Sequence, residues 1–256
     1  IQLNNAGTEG FCDPGVLPEG TLRTNASGAY GMAISEHLIA MLCMIQKHLG
    51  VYRDQQKEHL WIKQEPMLVT EGSTVLVLGL GDIGSTFARK MKAMGSYVIG
   101  VRRTLREKPD YVDELYTMDA LSRLLPRADV VALSLPGYAA TRGVIGKEEL
   151  DRMKPGAVLL NVGRGTAVDT NALSDALYAG KLAGAGLDVT DPEPLPADHP
   201  IWDAPGALIT PHVSGGYALK PTLEKILALS ARNLERYEKG ETLENMVDLT
   251  TGYAKR

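Results

Sequence analysis

Cysteine occurs only twice in the 256 residues, at Cys12 and Cys43, which is too few for a disulfide framework and lacks the spacing of a metal site. That scarcity points to a reducing compartment, and we read the chain as cytoplasmic. Long apolar runs are also missing. The longest, Leu38 to Ile45, falls far short of the roughly 20 residues that a bilayer-spanning helix requires. Neither sign of charge dominates: 27 Lys and Arg stand against 31 Asp and Glu, a formal net charge of −4. This gives no general electrostatic reason for nucleic acid or an anionic membrane as partner, and a small molecule is expected instead. There is no internal repeat and no low-complexity tract. The opening Ile1-Gln2-Leu3-Asn4-Asn5 has no initiator methionine, basic start or apolar signal core, so we expect a cut edge rather than a processed leader.

What remains is an ordinary globular composition, 44% apolar and 23% charged, long enough for one large α/β domain or one full domain with part of another. From Thr74 onward, short runs rich in Val, Leu and Ile alternate with longer stretches of helical period. This pattern of repeated βα units predicts a parallel sheet covered on both faces. The strands are expected at Thr74-Leu78, Tyr97-Val101, Val130-Leu135, Ala157-Asn161, Ala185-Val189 and Ala207-Ile209. Upstream, Ala33 to Leu49 contains no Pro or Gly and is apolar nearly all round in its middle, so it reads as a buried helix, either in the core or at a subunit interface. Thr222 to Glu238 reads as a second long helix, stopped at Gly240.

The first strand runs straight into Gly79-Leu80-Gly81-Asp82-Ile83-Gly84 and then a helical stretch from Ser85 to Met94. Strand, glycine loop and helix in this order suit a dinucleotide: Gly79 permits the turn, Gly81 lets backbone approach a pyrophosphate, and Gly84 lets the helix pack closely. The plainer alternative is an ordinary glycine turn. An acidic residue closing the second strand would hold the ribose hydroxyls of NAD. Here the chain reads Val101-Arg102-Arg103-Thr104, with no carboxylate. Two guanidinium groups and a hydroxyl suit the extra phosphate of NADP, so NADP is expected to be favoured, with NAD possible. The alternative is that both arginines are solvated surface residues.

Three further segments follow: Asn161-Val162-Gly163-Arg164-Gly165, then Gly186-Leu187-Asp188-Val189-Thr190-Asp191-Pro192-Glu193-Pro194-Leu195, then Thr210-Pro211-His212-Val213-Ser214-Gly215. With the glycine loop, and in this order from about residue 28 to residue 248, the chain resembles the D-isomer-specific 2-hydroxyacid dehydrogenases. The resemblance implies a doubly wound α/β fold: a Rossmann NAD(P)-binding domain at 32–238, and a partial flavodoxin-like substrate domain at 1–31 and 239–256. It implies an oxidoreductase that moves a hydride between NAD(P)H and a small 2-keto acid such as glyoxylate or hydroxypyruvate.

The chemistry explains the residue types. Hydride arriving at a ketone carbon puts negative charge on its oxygen, so a proton donor must stand within reach. Histidine titrates near neutrality, and a neighbouring carboxylate favours its protonated form. His212 is the expected acid, Glu193 its partner, and Arg164 the planar cation that grips the substrate carboxylate and polarises the carbonyl. Taken singly, each has a plainer reading: a loop arginine, a surface charge in a proline-rich turn, a strand-end histidine. By resemblance the cofactor contacts are Gly79, Gly81, Asp82, Ile83 and Gly84 at the pyrophosphate, and Arg102, Arg103 and Thr104 beyond the second strand. Leu135, Pro136, Thr141, Val162, Gly163, Arg164, Asp188, His212 and Gly215 complete the cofactor set, Leu135 and Pro136 flanking the adenosine and Asp188 holding the nicotinamide carboxamide. Ala6, Gly7, Arg164 and His212 are the expected substrate contacts. No metal is expected, and His37, His48, His59 and His199 are read as structural or solvated.

Family members usually have further strands and helices before a segment like Asn5-Ala6-Gly7-Thr8. On the resemblance several tens of residues are absent, and with them a carboxylate-binding loop; either that part was disordered or removed, or the chain is a genuine truncation, and a truncation is expected to bind cofactor yet turn over poorly. Tyr217 stands where many relatives have small residues, and either borders the substrate pocket or packs at a helix start. Two other functions stay open: 3-phosphoglycerate oxidation, and a non-catalytic cofactor sensor of the same fold. The resemblance also implies a homodimer packed through Leu38 to Ile45.

Overall fold

The computed structural model describes residues 1–8, 10–13, 15–217, 219–249 and 253–254. They fall into two compact units, residues 34–214 and residues 1–33 with the returning chain from 215. In chain order the elements are α1 (Gly31–Gln46), α2 (Leu49–Lys57), β1 (Thr74–Leu78), α3 (Asp82–Ala93), β2 (Tyr97–Arg102), β3 (Glu114–Thr117), α4 (Leu121–Leu124) and β4 (Val130–Leu133). They continue with α5 (Lys147–Arg152), β5 (Ala157–Asn161), α6 (Thr170–Tyr178), β6 (Leu182–Leu187), β7 (Ala207–Ile209), α7 (Lys220–Glu238), β8 (Val247–Asp248) and β9 (Tyr253–Ala254).

In the larger unit seven strands form one sheet in the order β3-β2-β1-β4-β5-β6-β7, every pair parallel. This is the doubly wound α/β architecture that the resemblance implies, built on the parallel sheet that the alternating pattern predicts. The order reverses between β1 and β4, the place where open sheets of this kind bind ligands. Four strands, β1, β2, β4 and β5, are buried along almost their whole length, which is why their sequences are continuous Val, Leu and Ile runs. One core cluster joins Leu76, Leu78, Ile99, Leu133 and Leu159 of the strands to Leu121, Leu124, Leu150, Leu173 and Leu177 of the helices.

Side chains alternate across the sheet, so β6 offers Ala185 and Leu187 to that cluster and its glycines to the other face. There α1 comes close: a Cβ on Gly184 would lie 2.6 Å from Ile45 Cγ2, and one on Gly186 would lie 3.1 Å from Met41 Cβ. Helix α1 buries Leu38, Met41, Leu42 and Ile45, while Ile39, Cys43 and Met44 are half-buried and Ala40 exposed. Its core face is thus taken up within the unit.

The structure corrects several expected boundaries. β3 was not anticipated, since its four residues are all half-buried and carry no apolar run. β4 stops at Leu133 rather than Leu135, and Ser134 beyond it bonds Leu78 O through its N–H at 3.0 Å and Gly79 O through its hydroxyl at 2.7 Å. β6 is Leu182–Leu187, not 185–189; its glycines hide it from a reading based on bulky apolar residues. Helix α3 starts at Asp82 instead of Ser85, with Gly84 inside its first turn. The first long helix starts at Gly31 and ends at Gln46, and α2 follows from Leu49.

In the smaller unit Thr24 bridges Gln2 in parallel and Met246 antiparallel, and β8 pairs antiparallel with β9. Asn233 on α7 donates to Gln2 Oε1 at 2.8 Å and receives Glu244 N at 2.7 Å. Among the described residues, no helix is long and apolar enough to cross a membrane.

Candidate active site

The glycine loop sits at the carboxyl end of β1. Gly79 has φ +96°, and a Cβ there would press on Ser134 O at 3.0 Å. Gly84 is tighter still: a Cβ would lie 1.9 Å from Gly79 O and 2.7 Å from Ser134 Oγ. Gly81 differs, since a Cβ there meets nothing within 4 Å. It is the N-cap of α3 and contributes no side-chain cap. An uncapped helix amino end opening onto space is a fitting cradle for a pyrophosphate, with Asp82 and Ile83 on its first turn.

Beyond β2, Arg102 is half-buried and its guanidinium donates to Leu80 O at 3.3 Å, bracing the glycine loop from below. Arg103 and Thr104 are exposed. Across the switch point, Leu135 is buried, and Gly163 after β5 packs directly on it, where a Cβ would lie 2.4 Å from Leu135 O. Thr141 is buried, its hydroxyl donating to Pro136 O at 2.5 Å, with Tyr138 O 3.0 Å away. Asn161, at the end of β5, accepts from Gly163 N at 3.0 Å and donates to Arg164 O at 3.0 Å, and Val162 N bonds Leu133 O. These bonds set the turn on which half-buried Arg164 stands, its guanidinium also donating to Gly163 O at 2.7 Å.

The turns after β6 and β7 bring together two residues far apart in sequence: His212 Nδ1 lies 2.6 Å from Glu193 Oε1, both side chains partly exposed. His212 has φ +52°, a left-handed backbone uncommon for any residue but glycine. Asp188 holds that backbone. Its main-chain oxygen accepts from His212 N at 2.9 Å, and its buried carboxylate accepts from Val213 N, Ser214 N and the Thr210 hydroxyl. Oδ2 carries one of these bonds and Oδ1 two, and the carboxylate is fully buried.

Arg164, Glu193 and His212 therefore follow β5, β6 and β7, three neighbouring strands, at their carboxyl ends. Ala6 and Gly7 belong to the smaller unit, where Ala6 O accepts from Asn25 Nδ2 at 2.8 Å. Gly215 begins that unit's returning segment, and Tyr217 is exposed rather than packed. Of the histidines given no role, His199 caps a short turn by accepting Ile201 N at 3.1 Å and His48 contacts Pro66 O at 2.9 Å. His37 is the one sequence reasoning missed. Its Nε2 lies 3.0 Å from Thr210 Oγ1 and 3.8 Å from Asp188 Oδ1. A lone histidine on an apolar helix gives no sequence signal for such a role.

A parallel sheet of this order, with a glycine cradle at its switch point and a paired His and Glu along the same edge, defines a dinucleotide-binding dehydrogenase domain. The family model for the D-isomer specific 2-hydroxyacid dehydrogenase NAD binding domain matches residues 39–214. The chain belongs to this family, NAD(P)-dependent oxidoreductases acting on the CH–OH group of their donors. It is 32% identical over 219 residues to a hydroxypyruvate reductase of Blautia hydrogenotrophica, covering 82% of this chain and 67% of that one. A D-isomer specific 2-hydroxyacid dehydrogenase family protein from Aeromonas salmonicida superposes with a TM-score of 0.86 at 37% identity, covering 97% of this chain and 78% of the other. An NADPH-dependent glyoxylate/hydroxypyruvate reductase from Sinorhizobium meliloti, solved with NADP and sulfate, gives a TM-score of 0.87 at 27% identity over 99% and 79%.

Proposed function

We propose that the protein reduces a small 2-keto acid of the glyoxylate or hydroxypyruvate kind to the D-2-hydroxy acid, with NADPH favoured over NADH. The observation that carries this reading is the 2.6 Å contact between His212 and Glu193 on the sheet edge that also bears Arg164. The bound nicotinamide supplies the hydride. Arg164 grips the substrate carboxylate and polarises the adjacent carbonyl. As the carbon is reduced, charge grows on the ketone oxygen, and His212 delivers the proton that completes the hydroxyl. Glu193 stabilises the imidazolium before delivery and orients the ring through Nδ1, leaving Nε2 to face the oxygen. In the oxidative direction the neutral ring takes the hydroxyl proton back.

Gly79, Gly81, Asp82, Ile83 and Gly84 hold the pyrophosphate. Arg103 and Thr104 meet the 2′-phosphate, with Arg102 behind them, and an exposed arginine and hydroxyl in place of a carboxylate support the NADP preference. Leu135 and Pro136 flank the adenosine. Thr141, Val162, Gly163 and Gly215 line the path to the nicotinamide, whose carboxamide bonds Asp188. Ala6 and Gly7 serve the substrate. We assign residues 1–31 and 239–256 to a partial substrate domain and 32–238 to the cofactor domain; the bridge between Thr24 and Met246 supports joining the two ends, whereas residues 215–238 pack with the smaller unit. We place the protein in the cytoplasm, in keeping with its two free cysteines. We also propose a homodimer: beyond the partly exposed Ile39, Ala40, Cys43 and Met44 of α1, the stretch from Leu60 to Val69 exposes Leu60, Ile62, Met67 and Val69, and Trp61 at 97%.

The test is oxidation of NADPH and NADH against glyoxylate, hydroxypyruvate and phosphohydroxypyruvate. Turnover of the small keto acids with a lower KM for NADPH is expected. Tight cofactor binding without turnover would turn the reading towards a sensor, and a clear NADH preference would remove the NADP assignment.

A further inference from the structure

Asp188 has a side chain 0% exposed to solvent, so its carboxylate must be satisfied from within. All of its hydrogen-bond donors come from one segment: the Thr210 hydroxyl at 2.5 Å and Val213 N at 2.9 Å on Oδ1, and Ser214 N at 3.1 Å on Oδ2. Its main-chain oxygen takes His212 N as well. One residue thus ties the chain down on both sides of the left-handed backbone at His212.

The Thr210 hydroxyl has a single proton, and an ionised carboxylate accepts only. That proton therefore goes to Asp188, and the 3.0 Å contact between Thr210 Oγ1 and His37 Nε2 runs the other way, with His37 donating from Nε2. His37 stands on α1, a separate mount packed on β6 through Met41 and Ile45.

We propose that His37 is a positioning residue for the reaction, resting on the reading of His212 as proton donor. Donation from His37 fixes the rotor of Thr210, which fixes Asp188, which holds residues 212 to 214 and so aims the imidazole. The phosphate cradle at Gly79 to Gly84 and the carboxylate grip of Arg164 do not draw on this chain of bonds. Its loss falls on the chemical step rather than on the grip of phosphate or substrate carboxylate.

His37→Leu and Thr210→Val are each expected to lower kcat about tenfold, since small misplacements of a catalytic group are costly. KM for the keto acid should move by less than about twofold. His37→Gln, which can donate to the same oxygen, should keep at least about half of the wild-type kcat, and the Leu/Val double variant should fall no further than the worse single one. Wild-type kcat in His37→Leu, a His37→Gln as impaired as His37→Leu, or additive losses would each overturn the proposal. Amide exchange provides a readout without turnover: Val213 and Ser214 should exchange about tenfold faster in His37→Leu and Thr210→Val, with β1 and β5 unchanged. A wild type inactive on every 2-keto acid would defeat the reading of His212 and leave exchange to judge the brace. Unchanged exchange in both variants would defeat the brace itself.

Discussion

Two glycines of one loop make opposite demands. At Gly84 an added methyl would run into the carbonyl of Gly79 at 1.9 Å, so Gly84→Ala should cost about 1–3 kcal/mol, the usual penalty of overpacking, and disturb the loop. At Gly81 the same methyl meets nothing and the backbone is extended, so Gly81→Ala should leave stability within about 0.5 kcal/mol while weakening cofactor binding at least about tenfold. Thermal unfolding paired with NADPH fluorescence titration separates the two, and equal stability losses would contradict this account. The spacing of the glycines was plain in the sequence; which of them faces open space was not, because that depends on Ser134 arriving from another strand. Arg102 was hidden in the same way. Two adjacent arginines look alike on paper, yet one braces Leu80 O and the other is exposed. His37 needed a partner distant in the chain, Thr210, and no local pattern records such a pairing.

Among the elements, the strands with continuous apolar runs, β1, β2, β4, β5 and β7, and helix α7 were readable to within two residues, and β3 and β6 were not. Edge strand β3 is fastened by polar groups. Glu114 pairs with Arg127 and receives the Tyr97 and Tyr116 hydroxyls, and its carboxyl is held down to about 2 by Arg127 first and Tyr116 second. A carboxylate with a lowered folded value stabilises the fold above its unfolded value, near 4.5, and that contribution disappears as pH falls through about 2. Arg127 is 43% exposed, so solvent screens the pair, and Arg127→Ala should cost no more than about 1 kcal/mol at pH 7. In chemical denaturation the gap between variant and wild type should close as pH is lowered from about 4.5 towards 2. A gap that widened with acid would show that Glu114 is not the responsible group. β6 was misplaced for a different reason: Gly184 and Gly186 serve the approach of α1, and a search for bulky residues passes over them.

For the whole molecule, a parallel sheet covered by helices followed from alternation alone, while the order of its strands and the assembly did not. Helix α1 was expected to face a partner with Leu38 to Ile45, yet Leu38, Met41, Leu42 and Ile45 are buried inside the larger unit, leaving Ile39, Ala40, Cys43 and Met44 for any contact. Trp61→Asp with Ile62→Ser is expected to shift sedimentation at micromolar concentration from dimer towards monomer without lowering the unfolding midpoint of the monomer. A wild type that sediments as monomer throughout would end the dimer proposal. Saturating NADPH, at about 100 times its Kd, should stabilise the fold by about 2.7 kcal/mol and raise Tm by about 5–10 °C. No shift with either nucleotide would mean that the cradle does not bind them.

The sheet also has a seam. Residues 74–127 supply β1 to β3 with the glycine cradle and the arginine pair, whereas residues 130–214 supply β4 to β7 with Arg164, Glu193 and His212. Each half is one continuous stretch of chain, and they adjoin in the sheet along the pairing of Val75–Leu78 with Val130–Leu133. Two crossovers, one ahead of Thr74 and one between Arg127 and Val130, would exchange the coenzyme half for that of a relative while leaving α1 with His37 on β6 and every reacting group in its native neighbourhood. The connectivity makes this protein a natural parent for chimeras in which redox partner and substrate are chosen separately.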